Sequence, residues 1–467
     1  MKYKIKISDG EKNYTGYAEG GALLSDILVQ NGFSPELVCG GKGICGKCTV
    51  TVNGKMELSC KYKISCDAVV SVPKQTQIHS ETGIKADEKN VSDNLFLAAD
   101  IGTTTLCVAL CSYDDFSVIR TVTFDNPQRK YGGDVMSRIA YCQKNGVTNL
   151  HTCIVDKLNE LFEYLLEGRT ADCVYVAGNT TMLHILLNTD VTSLGVYPYT
   201  PVFLSEKNVT AESLGLHLVK QIVTLPCISS FVGSDIVSGL IKCGMPATEK
   251  YNILVDLGTN AECVLYSENR AICSSAAAGP CFEGGNISCG SPAIDGAICS
   301  FKPDGSFDVI GSKTAKSICA TGLIDVISQL IRRGIIENTG FMENTFRITD
   351  EISITQKDVR QFQLAKAAVY SAIVTLCKIG EISFDFIDKF FVAGGFSSGL
   401  NIENAVRTGL FPKELQDKFI PINNSSLAGI PLYVKDKSVT ENFRNAEYID
   451  LSMQDDFNDM FIENMEF

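Results

Sequence analysis

Two segments of this chain are near-copies of each other, and the repeat limits the fold more than any other feature. LAADIGTTTLCVAL begins at Leu97 and ILVDLGTNAECVLY at Ile253, so Asp100, Gly102, Thr103, Cys107 and Val108 recur as Asp256, Gly258, Thr259, Cys263 and Val264. Each copy reads as an apolar strand, a D-x-G-T turn and a second strand. A further element follows each one: VYVAGNTTMLHILL around Gly178 and FFVAGGFSSGL around Gly394. Both read as a strand, a glycine turn and a helix start. Repetition of a whole strand-and-helix unit predicts a duplicated α/β domain over 94–467, with lobes of about 94–250 and 251–467.

Paired D-x-G-T turns suit a triphosphate, whose oxygens need N–H and hydroxyl donors and whose charge needs a divalent cation. Gly102 and Gly258 allow close approach, while Thr103, Thr104, Thr259 and Asn260 would hold phosphates. Asp100 and Asp256 would position magnesium and the attacking water, with Glu262 and Asp235 as further candidate ligands. The Gly394-Gly395 turn can lie flat against an adenine or ribose, and Gly394, Gly395 and Phe396 are the expected adenosine residues. A lone D-x-G-T can be a plain hairpin, and Phe396 can be a core aromatic. Two such turns in register, each with the same element downstream, point to a shared ligand.

Cysteine usage adds a second constraint. Nineteen cysteines are present, and only Cys39, Cys45, Cys48 and Cys60 have ligand spacing, Cys-x5-Cys-x2-Cys-x11-Cys. Four thiolates around a [2Fe–2S] cluster need a tight loop for three sulfurs and a returning segment for the fourth. VCGGKGICGKC supplies the loop, and TVTVNGKMEL, two short strands about an Asn53-Gly54 turn, brings Cys60 back. Cys66 is a rival fourth ligand; a zinc site and a disulfide are the competing chemistries. The flanking MKYKIKI and NYTGYAE read as a hairpin and ALLSDILVQNG as a helix ending at Gly32. Cys273, Cys281, Cys289 and Cys299 lack paired spacing and read as packing residues, as does His184 in MLHILL.

Net charge is −13 and the pI about 4.9, which argues against broad nucleic-acid binding. No stretch approaches the ~18–20 apolar residues of a membrane span, and the strand-like N-terminus lacks a signal-peptide core, so a cytoplasmic location is expected. Residues 76–93 are polar, aperiodic and expected to be a linker. Ile354–Gly380 has helical apolar spacing with Thr355 as N-cap, and is expected to pack between the lobes.

Residues 1–75 resemble the β-grasp [2Fe–2S] ferredoxins, although their first gap is five residues rather than the plant-type four. The duplicated region resembles the actin, Hsp70 and sugar-kinase ATPases, a ribonuclease-H-like α/β fold. DIGTTT is similar to its first phosphate motif, DLGTN to its second and VAGGFSS to its adenosine motif. The combination resembles the ATP-dependent reductive activators of corrinoid proteins, as do NPQRKYGGDVMSRI, VGSDIVSGL, AAAGPCFEGGNISCG, TGLIDVI, ITQKDVRQFQLAKAAV and NNSSLAGI. Better-known members carry a longer linker and a small extra domain between cluster and ATPase; here about eighteen residues intervene. The resemblance implies a [2Fe–2S] cluster, ATP and Mg2+ as cofactors. It implies one-electron return of a Co(II) corrinoid protein of a methyltransferase system to Co(I), an upstream low-potential electron donor, and room for a homodimer. An electron donor to another low-potential metalloenzyme and a cluster-regulated small-molecule kinase are the alternatives.

Overall fold

The alternating segment at the N-terminus forms strand β1 (Lys2–Ser8), which pairs antiparallel with β2 (Asn13–Glu19) and parallel with β5 (Ala68–Ser71). Strands β3 (Thr49–Val52) and β4 (Lys55–Leu58) complete a sheet of order β2-β1-β5-β3-β4. The β3–β4 turn is the expected Asn53-Gly54 pair, both at positive φ (49° and 82°), the backbone that a two-residue hairpin requires. Ile5, Ile7, Val50, Val52, Ala68 and Val70 pack with Leu24, Ile27 and Leu28 of helix α1 (Leu24–Gln30). This computed structural model describes all residues except 11, 34, 36–42, 44–47, 74–93 and 247–248. The expected linker, 76–93, and two expected ligands, Cys39 and Cys45, therefore lie outside the described residues.

The chain forms two compact units, Met1–Leu225 and Pro226–Phe467. Beyond the N-terminal sheet, the first holds β6 (Leu95–Ile101), β7 (Thr105–Ser112), β8 (Val118–Asp125), β9 (Ala171–Gly178), β10 (Lys207–Thr210) and β11 (Val219–Thr224), in the order β10-β11-β9-β6-β7-β8. Its helices are α2 (Val135–Asn145), α3 (Thr148–Leu166) and α4 (Thr180–Leu186). The second unit opens with α5 (Ser234–Cys243), followed by β12 (Tyr251–Leu257), β13 (Ala261–Tyr266) and β14 (Ala271–Ala276). Short strands β15 (Ala297–Phe301), β16 (Phe307–Val309), β17 (Ser317–Ile318), β18 (Phe346–Arg347) and β19 (Ser353–Ile354) make two small sheets. Strands β20 (Ile387–Ala393), β21 (Phe419–Pro421) and β22 (Glu447–Tyr448) complete the main sheet, β21-β20-β12-β13-β14-β22. Helices α6 (Ala320–Arg332), α7 (Gln356–Gly380), α8 (Ile402–Arg407), α9 (Ser425–Lys435) and α10 (Asp455–Glu463) surround it.

The predicted duplication is visible as topology. Each main sheet starts with a three-stranded antiparallel meander, β6-β7-β8 or β12-β13-β14. A fourth strand (β9, β20) then pairs parallel with the first, and a fifth (β11, β21) parallel with the fourth. Strands β6 and β12 are central and apolar almost throughout, as strands buried on both faces must be.

Helix α7 begins with the expected Thr355 cap, reinforced by a capping box with Asp358. It packs across β13 and β14, so its apolar face (Val359, Phe362, Val369, Ile373, Leu376) is used within the second unit's core. Among the described residues, α7 alone is long and apolar enough to cross a membrane, and most of it is buried in that core.

Helix α5 precedes the expected lobe boundary near 250, yet it belongs to the second unit, where it lies against α9. The two backbones approach closely because both helices carry a glycine at the crossing. A Cβ on Gly429 would sit 1.9 Å from the Ser238 carbonyl oxygen, and the Ser238 hydroxyl donates to the Ser426 carbonyl. Gly429→Ala must push the helices apart and is expected to lower the second unit's stability by about 1–3 kcal/mol, the range for an overpacked core. Urea denaturation measures this; an unchanged midpoint would contradict the close crossing.

Candidate functional site

The first D-x-G-T turn is held from behind by three side chains. Asn126 Nδ2 donates to the Gly102 carbonyl (2.8 Å), and Asn126 N–H donates to the Thr104 carbonyl (2.8 Å). Asn179 Nδ2 donates to Thr103 Oγ1 (3.0 Å), and an Arg138 Nη donates to the Thr103 carbonyl. Both asparagines do double duty. Asn126 Oδ1 caps the 3₁₀ turn Pro127–Lys130 by accepting from Gln128 N–H, and Asn179 Oδ1 caps α4 by accepting from Met182 N–H. One amide therefore fixes both a helix start and the turn facing it.

Arg138 is fully buried (0% exposed), and its oxygen acceptors, the Gly132 and Thr103 carbonyls and Gln128 Oε1, are all neutral. Burial pushes its pKa down to about 9. A cation thus lies directly behind the turn. Asn126, Arg138 and Asn179 were not singled out as sequence candidates. Their signal was present, because a tight turn exposes carbonyls that need donors, and all three lie in segments flanking glycine or helix starts.

The second turn is one residue shorter. Ile101 pairs with Leu106, whereas Leu257 pairs with Ala261. Consequently Asp100 faces Cys107 across its hairpin, but Asp256 faces Glu262. Aligning the repeats residue by residue would set Glu262 against Leu106. The one-residue change in register moves Glu262 to the face that Asp256 occupies. Burial, with the charges of Asp235 and Asp256 nearby, raises the Glu262 pKa well above its ordinary 4.5, and Ser275 Oγ donates to its carboxyl (3.0 Å). Among the described residues no group of three or more His, Cys, Asp or Glu side chains is arranged to hold a metal ion.

Glu283 is a carboxylate that the sequence reading passed over. Thr259 Oγ1 donates to its Oε2 (2.9 Å), and its other oxygen lies 3.5 Å from where a Cβ on Gly258 would be. It ends a 3₁₀ turn, Pro280–Glu283, just before Gly284 at φ 76°. The glycine-bounded segment AAAGPCFEGG was its only signal.

The two glycine turns are equivalent in detail. A Cβ on Gly178 would lie 2.8 Å from the Ile101 carbonyl oxygen, and one on Gly394 would lie 2.5 Å from the Leu257 oxygen. Both oxygens belong to the residue after the motif aspartate. Gly394 also has φ 110°, whereas Gly395 has open space around its Cβ position. Phe396 is 8% exposed and packs in the core with its ring 5.7 Å from Phe282, so its side chain is a packing element.

Of the expected cluster ligands, Cys48 and Cys60 are described. Their sulfurs are 3.1 Å apart, at thiol hydrogen-bonding distance, and both residues are buried. A disulfide bond would need about 2.05 Å. Cys66 is exposed and borders Tyr62. Cys273 and Cys281 are buried thiols whose pKa burial raises to about 12, while Cys289 and Cys299 donate to the Glu351 and Asp308 carbonyls. His184 is a satisfied core residue. Its Nδ1 lies 2.7 Å from the Thr180 carbonyl, its Nε2 accepts from Val202 N–H, and its ring stacks on Phe203.

Comparison with known proteins agrees along the chain. A family model described as the RACo middle region matches residues 95–248, and the C-terminal domain of RACo, the ASKHA domain, matches 250–467. The corrinoid activation enzyme RamQ of Eubacterium limosum is 26% identical over 540 residues, covering 89% of this chain and 90% of that protein. The Co(II) methylated amine-specific corrinoid protein reductase of Methanosarcina barkeri is 25% identical over 412 residues, covering 78% and 76%. A solved reductive activator for corrinoid, iron-sulfur protein superposes with a TM-score of 0.72 at 25% identity, covering 100% of this chain and 98% of that one.

Because the Glu262 carboxyl is raised in the folded state, it holds its proton where the unfolded chain has lost it. Folding stability therefore falls as pH rises above the ordinary carboxylate value. Glu262→Gln mimics the protonated form and is expected to raise the second unit's melting temperature at pH 7, with little change at pH 4. An equal change at both pH values would contradict the assignment.

Proposed function

From the premise that the chain belongs to the RACo family, we propose that it is an ATP-dependent one-electron reductant that returns a Co(II) corrinoid protein to Co(I). The observation that carries the reading is the presence in one chain of a buried Cys48–Cys60 thiol pair and two D-x-G-T turns on duplicated sheets. The N-terminal sheet is assigned as a β-grasp ferredoxin fold, with Cys39, Cys45, Cys48 and Cys60 as the ligand set. The described half of that set fits: both thiols are buried, both are free of disulfides, and the β3–β4 hairpin returns Cys60 to Cys48. A bound [2Fe–2S] cluster supplies transfer of one electron at a time.

The ASKHA region supplies the nucleotide chemistry. Thr103 and Thr104, on a turn backed by Arg138 and two asparagine amides, offer hydroxyls to phosphate oxygens, while Gly102, whose N–H is bonded to the Thr105 carbonyl, allows close approach. The Thr259 and Asn260 side chains take that role in the second unit, where Gly258, its N–H bonded to the Asn260 carbonyl, allows close approach and Asp256 and Glu283 can orient Mg2+ or a water. The open side of Gly395 suits an adenosine. Asp100 takes the corresponding role to Asp256 in the first unit.

Coupling is needed on energetic grounds. Reducing Co(II) is uphill for ordinary donors, and each ~59 mV of a one-electron gap costs about 1.4 kcal/mol. A gap of a few hundred millivolts exceeds what a surface contact provides, typically about 0–1 kcal/mol. Nucleotide can close it by favouring one state of the complex over another through differential affinity.

The test mixes reduced protein with a Co(II) corrinoid protein, with and without MgATP, and follows Co(I) absorbance. Co(I) is expected only with nucleotide. Asp256→Ala is expected to abolish the ATP dependence while leaving the cluster spectrum unchanged. Full ATP-dependent activity in that variant would overturn the nucleotide-site assignment, and no Co(I) with methyl-transfer corrinoid partners would overturn the function.

A further inference from the structure

Ser59 is bonded through its backbone to the cluster segment. Its N–H donates to the Cys48 carbonyl (3.0 Å), its carbonyl accepts from Ser25 N–H (3.0 Å), and its neighbour is Cys60. The residue is 0% exposed, yet its hydroxyl has no hydrogen-bond partner among the described residues. Buried hydroxyls are almost always paired, because losing water without a replacement partner is costly. A serine hydroxyl rotates freely to reach an acceptor, so an orphan here marks a place where an acceptor belongs.

Both described expected ligands are linked to Ser59 along the main chain, Cys48 through its carbonyl and Cys60 as the next residue. Once they bind a cluster as thiolates, their sulfurs and the inorganic sulfides become anionic hydrogen-bond acceptors. We propose that the Ser59 hydroxyl donates a hydrogen bond to a sulfur of the bound cluster and so sets its reduction potential, an inference that rests on the four-cysteine reading. Reduction adds one electron and makes the sulfurs more negative. A donor therefore favours the reduced state more than the oxidised one and raises the potential. Without the hydroxyl the cluster would be a stronger reductant but harder to load from its donor. Ser59 thus balances loading against delivery.

The full-length protein with its cluster is the material for the test. Ser59→Ala is expected to keep the visible spectrum of the oxidised cluster. The equilibrium constant for its reduction should fall about tenfold, about 59 mV in a one-electron titration followed by EPR. Ser59→Thr, which keeps a hydroxyl, should stay near the parent value. In the apoprotein, Ser59→Ala should be as stable as the parent or more so, since it deletes an unpaired polar group. An unchanged potential in Ser59→Ala with an intact cluster would overturn the proposal. Assembling the cluster in D2O needs no variant: a reduced parent cluster whose spin couples to no exchangeable deuteron would also overturn it. If instead Cys48→Ser or Cys60→Ser leaves the parent cluster spectrum unaltered, the ligand assignment has failed, a result separate from the potential of Ser59→Ala.

Discussion

The constraint that both halves of the duplicated region share is the approach of a glycine to a carbonyl oxygen. Gly178 lies against Ile101 and Gly394 against Leu257, at distances where any Cβ would collide with backbone. Each oxygen follows the motif aspartate and ends a central strand, so the contact sets the glycine turn beside the D-x-G-T turn within each half. Nothing flexible is available to yield, since both partners are main chain on buried, paired strands. The remaining features of each half are arranged around this pairing of turns. These include the asparagine amides that hold the first turn and the Glu283 carboxyl beside the second.

Much of this was legible because the informative residues are local. The D-x-G-T repeat, the Asn53-Gly54 hairpin and the Thr355 cap are short signals whose geometry follows from their own backbone requirements. The unreadable part depends on length and on distant partners. A single residue fewer in the second turn turned Glu262 toward Asp256, and sequence alignment hides such a slip because both copies remain similar. Arg138 and Asn126 act on carbonyls far along the chain, so their role has no local pattern. Helix α5 joined the second unit through glycine contacts with α9, which no periodicity announces.

The same duplication has diverged electrostatically. The first turn has a buried cation and two amides behind it, all donors, so an anion placed there meets compensation already built in. The second turn has Asp256, Glu262 and Asp235 grouped in one unit, with Glu283 bonded to Thr259. Carboxylates crowded together resist full ionisation unless a cation or proton joins them.

This asymmetry bears on how nucleotide chemistry could be coupled to electron transfer. A potential gap is closed only by an interaction that differs between two states, however tightly the nucleotide binds either one. The Glu262 site has that property, because its proton occupancy responds to any charge brought near Asp235 and Asp256. A cation arriving with nucleotide would favour ionisation, and its departure would restore the proton. The second unit therefore contains a buried carboxyl whose charge state depends on the charges beside it. In the N-terminal domain, the buried Cys48 and Cys60 sulfurs lie 3.1 Å apart. The raised carboxyl and the thiol pair therefore belong to different sheets, Glu262 on β13 and Cys60 just beyond β4.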